Sequence, residues 1–178
     1  MRRPTRSIAR LSPIVVAILA NLVVASPAAW AESPAPAGST PSSIAKEVCS
    51  RKAQTLIGDV LGEQAKVSTP TWRQHLYACD YRYKTGTMVL SVKELSSWNQ
   101  TYSYFNGLGK SLHKTTTVYE LGQGAFRVRN GSVVVRKDWK VLLVNVAALP
   151  KQFGQPYSDV SGVALSVAGV ILGCWSGD

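Results

Sequence analysis

Histidine is almost missing from this chain: His75 and His113 are the only two among 178 residues, and they lie far apart in sequence. Acidic side chains are also scarce, 10 against 20 lysines and arginines, and cysteine occurs only as Cys49, Cys79 and Cys174. These shortages narrow the chemistry. No cysteine or histidine pair has the short spacing of a zinc site, so no metal ligands are assigned. A serine or cysteine hydrolase needs a nucleophile, a histidine base and a carboxylate, and no Gly-x-Ser-x-Gly elbow is present. The acids are scattered, with Asp80, Glu94, Glu120 and Asp138 at strand or turn positions where solvation or ion pairing is the ordinary role. Only a glycosidase whose two carboxyls come from distant segments keeps an enzymatic reading open. No catalytic or cofactor-binding residue is assigned, and no cofactor is expected.

Three motif fragments fail on context. Ser43-Ile44-Ala45-Lys46, Ser97-Trp98-Asn99 and Lys84-Thr85-Gly86 look like the short motifs of penicillin-recognising serine enzymes. In those enzymes, however, the Lys-Thr-Gly element comes last and lies on a strand, whereas here it spans a turn. Gly109-Lys110-Ser111 resembles the end of a phosphate loop, yet Tyr104 stands where the earlier glycine belongs, and the segment closes a helix instead of opening one. Asn99-Gln100-Thr101 and Asn130-Gly131-Ser132 fit the glycosylation pattern and decide nothing.

What is present begins with an export signal. Arg2, Arg3, Arg6 and Arg10 precede an apolar run from Ile14 to Ala25, and Ala29-Trp30-Ala31 offers small residues for a signal peptidase. Residues 1–31 are read as a cleavable leader with the cut after Ala31, which makes the mature chain secreted or envelope-associated. The run is shorter than the ~20 residues of a membrane span, and no transmembrane segment is expected in the mature form. Four of the 20 basic residues fall in the leader and none of the 10 acids do, so the mature chain carries 16 against 10, a net +6. That sign favours contact with anionic surfaces such as phosphate-bearing wall polymers, lipid headgroups or nucleic acid, although no specific nucleic-acid partner is expected. Export also makes a disulfide persist.

Residues 32–42, rich in Pro, Ala and Ser, read as a flexible linker, and residues 43–178 as one domain. Helical spacing of Ile44, Val48, Leu56, Ile57, Val60 and Leu61, with Gly62 as a stop, predicts a helix over about 43–62. Alternation from 76 to 95 predicts a hairpin turning at Thr85-Gly86, pairing Tyr83 with Met88, Tyr81 with Leu90 and Cys79 with Val92. Trp98, Tyr102, Phe105 and Leu108 mark a second helix over 97–112, and Thr115 to Glu120 is β-prone. Asn130-Gly131 predicts a two-residue hairpin turn pairing Val128 with Val133 and Phe126 with Val135; a further turn at Asp138-Trp139 pairs Val135 with Leu142 and Val133 with Val144. After Pro150, the segment from Val160 to Ile171 is apolar nearly all round and predicts a buried third helix. The fold class is α+β: a mostly antiparallel sheet of hairpins packed against about three helices on one face.

In that register Arg127, Arg129 and Arg136 share the face opposite the apolar one, with Trp139 and Lys140 at the adjoining turn. Guanidinium forks beside an aromatic ring suit phosphate, carboxylate or a protein surface. The functional expectation is a non-enzymatic binding module that contacts an unknown protein or an anionic wall component through these five residues. The alternatives are a secreted hydrolase and an inhibitor of a secreted enzyme, the latter acting through the Asn130-Gly131 and Asp138-Trp139 turns.

Cys49 near the start of the first helix, Leu56-Ile57-Gly58 within it, Ala78-Cys79-Asp80-Tyr81 on a strand and Leu121-Gly122-Gln123-Gly124-Ala125-Phe126 before a valine-rich hairpin together resemble small exported and lipoprotein-type actinobacterial domains of unknown function. The resemblance implies a helix-to-strand disulfide between Cys49 and Cys79. The chain departs from that family in having no lipidation cysteine and in its additional Cys174. Antiparallel packing of the first and last helices would pair Cys49 with Cys174 instead, so both connectivities stand at this point.

Overall fold

Ser50 divides what periodicity predicts as one helix. The computed structural model describes residues 39–176; the leader, its cleavage site and the linker up to residue 38 lie outside the described residues. Helix α1 (Ser43–Lys46) is capped by Ser42, whose Oγ accepts from the Ala45 N–H at 3.1 Å. A 3-10 turn (Glu47–Cys49) follows, and Ser50 then turns extended, with ψ 157°, to cap helix α2 (Arg51–Leu61) by accepting from the Ala53 N–H. The serine hydroxyl thus favours a second cap over continued helix. The break leaves Cys49 at the end of the 3-10 turn, against the sheet.

The chain continues through β1 (Lys66–Val67), β2 (Thr71–Arg73), β3 (Leu76–Arg82), β4 (Thr87–Glu94), helix α3 (Trp98–Ser111), β5 (Lys114–Val118), β6 (Gly124–Val128), β7 (Val133–Lys137) and β8 (Lys140–Ala148). A small pair, β9 (Gln152–Phe153) and β10 (Ser158–Asp159), precedes helix α4 (Val160–Ser176). The main sheet has the order β1-β3-β4-β8-β7-β6-β5, with β2 also on β3, and the pairings are antiparallel. The α+β class is as predicted, and α3 and α4 fall where the spacing places them.

Two hairpin registers differ from expectation, with unequal consequences. In the first, Tyr81 faces Met88 and Cys79 faces Leu90, and the turn is Lys84-Thr85 because the Tyr83 N–H donates to the Gly86 carbonyl. The slip is two residues, so every side chain keeps its face. In the second, the Val128 N–H donates to Ser132 O and the loop holds three residues, Arg129, Asn130 and Gly131, the last at φ 89°. Phe126 therefore faces Val134, and Ala125 faces Val135. This slip is one residue and turns β6 over. The β7–β8 hairpin keeps the predicted register, Val135 on Leu142 and Val133 on Val144.

Reversing β6 creates a second core. One face of the sheet, with Met88, Leu90, Val92, Val133, Val135, Leu142 and Val144, packs against Val48, Ile57, Leu61, Val167 and Ile171 of the first and last helical segments. The other face carries Phe126, Val128, Val134 and Val141, buried with Phe105 of α3. Helices thus cover both faces, which corrects the one-face expectation. Cys49 and Cys79 form the disulfide that the family resemblance implies; Cys174 is a free thiol, so its pairing with Cys49 is excluded. Among the described residues no helix is long and apolar enough to cross a membrane.

The loop from Pro150 to Tyr157 is fastened to the end of α2. The Gln155 N–H donates to Leu61 O at 2.7 Å, and Gly62 takes φ 62° where an added Cβ would collide with Gln155 O. Gly62→Ala combines left-handed strain with that clash and is expected to cost about 1–3 kcal/mol. Urea unfolding reads it directly; an unchanged midpoint would mean that the loop is not held at this point.

Candidate functional site

The five residues predicted to form one basic surface are not brought together. Arg127 alternates with Phe126 and Val128, which places it on the side of Ala125 and Val133, half-buried. Arg129 is exposed in the three-residue loop. Arg136 lies on the opposite side from Arg127, toward α3, and is only 7% exposed. Lys140 pairs with Glu94 across the strands and shares the side of Leu142, while Trp139 is half-buried in the β7–β8 turn with its carbonyl accepting from the Leu95 N–H. The one-residue slip in β6 separates Arg127 from Arg136, which only the predicted register puts on one face; Trp139 and Lys140 lie in a hairpin whose register is as predicted.

Arg136 is instead the centre of an aromatic cluster. Its guanidinium carbon stands 4.2 Å from the Trp98 ring centroid, 5.7 Å from Tyr102 and 5.8 Å from Phe105. Nη2 donates to Gln123 O at 2.6 Å, whereas Nε and Nη1 are buried with no hydrogen-bond acceptor. The ring faces supply the negative potential that a carboxylate would otherwise provide. Trp98 and Tyr102, one helical turn apart, remain 48% and 52% exposed above the cation. Gln123 completes the support, donating from Nε2 to Asp138 and accepting from the Asp138 N–H. Loop, turn and helix therefore converge on one buried charge. Sequence reading placed Trp98 and Tyr102 on the apolar stripe of α3; the stripe is real, but only Phe105 of its aromatic residues is buried.

An apolar groove of about 610 Å³ runs along one flank of α3, lined by Leu95, Tyr104 and Leu108 among others. Lys93 Nζ stands 5.8 Å from the Tyr104 ring centroid. The carboxylates singled out earlier are largely engaged elsewhere. Asp80 pairs with Arg82 at 3.0 Å, Asp138 holds Gln123, and buried Glu94 accepts from both the Oγ–H and the N–H of Ser42. His75 sits in the β2–β3 turn at φ 58° and His113 follows α3 at φ 59°. Among the described residues no group of three or more His, Cys, Asp or Glu is arranged to hold a metal ion.

A second concavity, of about 370 Å³, lies where the end of α2, the β3–β4 turn and the loop after β8 meet. Its lining includes Glu63, Thr85, Gln152, Phe153, Gln155 and Tyr157. Tyr83 packs edge-on against Phe153, with centroids 4.7 Å apart, and its hydroxyl is buried without a partner. Burial, and then the negative charge of Glu63, push the Tyr83 pKa up, so the phenol stays protonated. Sequence reading treated this loop only as a lead into the last helix; Gly62 and Gly154, both at positive φ, are the signals that mark a shaped loop. Comparison with family models, with curated proteins and with solved structures finds no match for the chain.

Proposed function

We propose that this chain is an exported, non-enzymatic binding module that contacts a protein partner through Trp98 and Tyr102 on α3. The observation that carries the reading is the pair itself: two large aromatic residues half-exposed on adjacent turns and held over a buried guanidinium. Trp, Tyr and Arg dominate protein-binding hot spots, and Trp and Tyr offer much contact area for few rotatable bonds. Stacking on Arg136 restrains Trp98 before any partner arrives, which lowers the ordering cost of association. The basic leader and the internal disulfide support action outside the cytoplasm.

The test is retention of the purified mature chain on the envelope fraction of the producing cells. Trp98→Ala with Tyr102→Ala is expected to weaken retention by about ten-fold or more, with little dependence on salt; the pair also loses its cation–π contacts with Arg136, about 1–2 kcal/mol, so retention is compared at a temperature where both chains are folded. Full retention by this variant would sink the reading. Retention that instead collapses with added salt and with Arg127→Ala and Arg129→Ala would assign the contact to an anionic wall polymer.

A further inference from the structure

The pocket between Glu63 and Tyr157 lies apart from the α3 surface and carries a chemistry of its own. Its walls come from three segments clamped by backbone contacts. Gln155 N–H to Leu61 O ties the loop after β8 to α2, and Gly154 passes the same carbonyl so closely that a Cβ would lie 3.0 Å from it. Gly86 brings the β3–β4 turn against β8, where a Cβ would collide with Ala148 O. Phe153 faces Ser158 and Gln152 faces Asp159 in the short β9–β10 ladder, which fixes the far wall. The cavity is therefore built before any ligand enters it, as small-molecule sites usually are.

The functional groups in its lining select the ligand. Among the residues that line it Glu63 is the one charged side chain, so the lining itself presents no cation to a phosphate or carboxylate. Gln152 and Gln155 each carry both donors and an acceptor, Thr85 adds a hydroxyl, and Glu63 adds two acceptor oxygens. An ammonium ion would use only the acceptors and leave the amide donors idle. A sugar hydroxyl donates and accepts at once and matches the whole set. Tyr157, 77% exposed, lines the pocket and offers a ring face suited to the C–H face of a pyranose, while Phe153 is buried in the wall. The volume, about 370 Å³, falls within the range of small-molecule pockets. We infer that this pocket binds an uncharged pyranose unit of a glycan, with Tyr157 as the stacking platform and Glu63, Gln152 and Gln155 as hydroxyl partners.

The experiment titrates the purified chain with tetra-N-acetylchitotetraose, with maltotetraose and, as a cation control, with spermidine, following backbone amide shifts. At least one oligosaccharide is expected to give saturable shifts at residues 62–63, 85 and 152–157. Tyr157→Ala, at an exposed position, is expected to keep the unfolding midpoint and to raise Kd by about ten-fold, and Glu63→Gln by about three-fold. Trp98→Ala should leave sugar binding unchanged, which keeps this site separable from the α3 surface. Saturation by spermidine alone, or no shift at these residues with either sugar at millimolar concentration, would overturn the assignment.

Discussion

Replacing Cys49 and Cys79 together by alanine is expected to lower the unfolding free energy by about 3–4 kcal/mol. The bond joins residues 30 apart and closes a loop that contains α2, β1 and β2. Freeing that loop returns conformational entropy to the unfolded chain, and the logarithmic dependence on loop length gives most of the figure. Both sulfurs are also core atoms: Cys49 and Cys79 are buried with Val48 and Tyr81, and the Tyr81 hydroxyl donates to Val48 O at 2.7 Å. Their removal leaves space that the clamped 3-10 turn fills poorly. In a thermal scan the loss corresponds to about 10 °C for a domain of this size. Cys174→Ala, at a half-buried free thiol, is the control and should shift the midpoint by far less. Equal effects of the two variants would show that the stability attributed to the bond belongs to helix packing. Alkylation gives an independent check, with one thiol reactive before reduction and three after.

The legible parts of the fold are those where one physical signal acts alone. Helix α3 lies within the predicted span, since its apolar stripe meets no competing pattern and Ser97 caps it by accepting from Gln100 N–H. The β7–β8 turn is likewise as predicted, because the chain there has only two residues to turn with. The first hairpin kept its faces despite a wrong turn, since a slip of two residues preserves alternation. The second hairpin departs from the predicted register for a definite reason. Val133, Val134 and Val135 are all fully buried, so β7 is covered on both faces and its pattern does not select a register. The Asn130-Gly131 pair then favours a two-residue turn, while the native loop recruits Arg129 and packs Gly131 against Val160 of a helix thirty residues later. No local signal carries that contact.

The separation of Arg127 from Arg136 follows from the same slip. Three arginines at alternate positions read as a basic face only if β6 and β7 share the predicted register; one residue of shift sends Arg127 to one side and Arg136 beneath α3. The aromatic half of the Arg136 cluster is legible, in Trp98 and Tyr102 at i and i+4, but its partner is not, because a helix and a strand 34 residues on meet only through tertiary packing. The glycan pocket was still less legible. Its walls come from segments near residues 63, 85 and 155, and it exists only because glycines let three backbones touch.

Arg136→Ala is expected to cost about 2–4 kcal/mol, a large-to-small loss in a buried site together with about 1–2 kcal/mol of cation–π attraction. The guanidinium is what fills the space between Gly124, Phe105 and the Trp98 ring, and its Nη2 bond is the link that holds the Gln123 carbonyl. Arg136→Met separates volume from charge. Burying a cation without a carboxylate is expensive, so an apolar side chain of similar length is expected to recover stability to within about 1 kcal/mol of the parent. The alanine variant should also free Trp98, giving greater acrylamide quenching in the difference between chains with and without Trp98→Phe. Equal losses for Ala and Met would assign the seat of α3 to charge and the Gln123 bond instead of packing. A loss below about 0.5 kcal/mol for Ala would show that α3 is seated without the guanidinium. The methionine chain then bears on function: if it keeps its fold and its envelope retention, Arg136 serves only to hold Trp98 and Tyr102 in position. If it keeps its fold and loses retention, the cation itself sets the polarity of the aromatic faces that a partner meets.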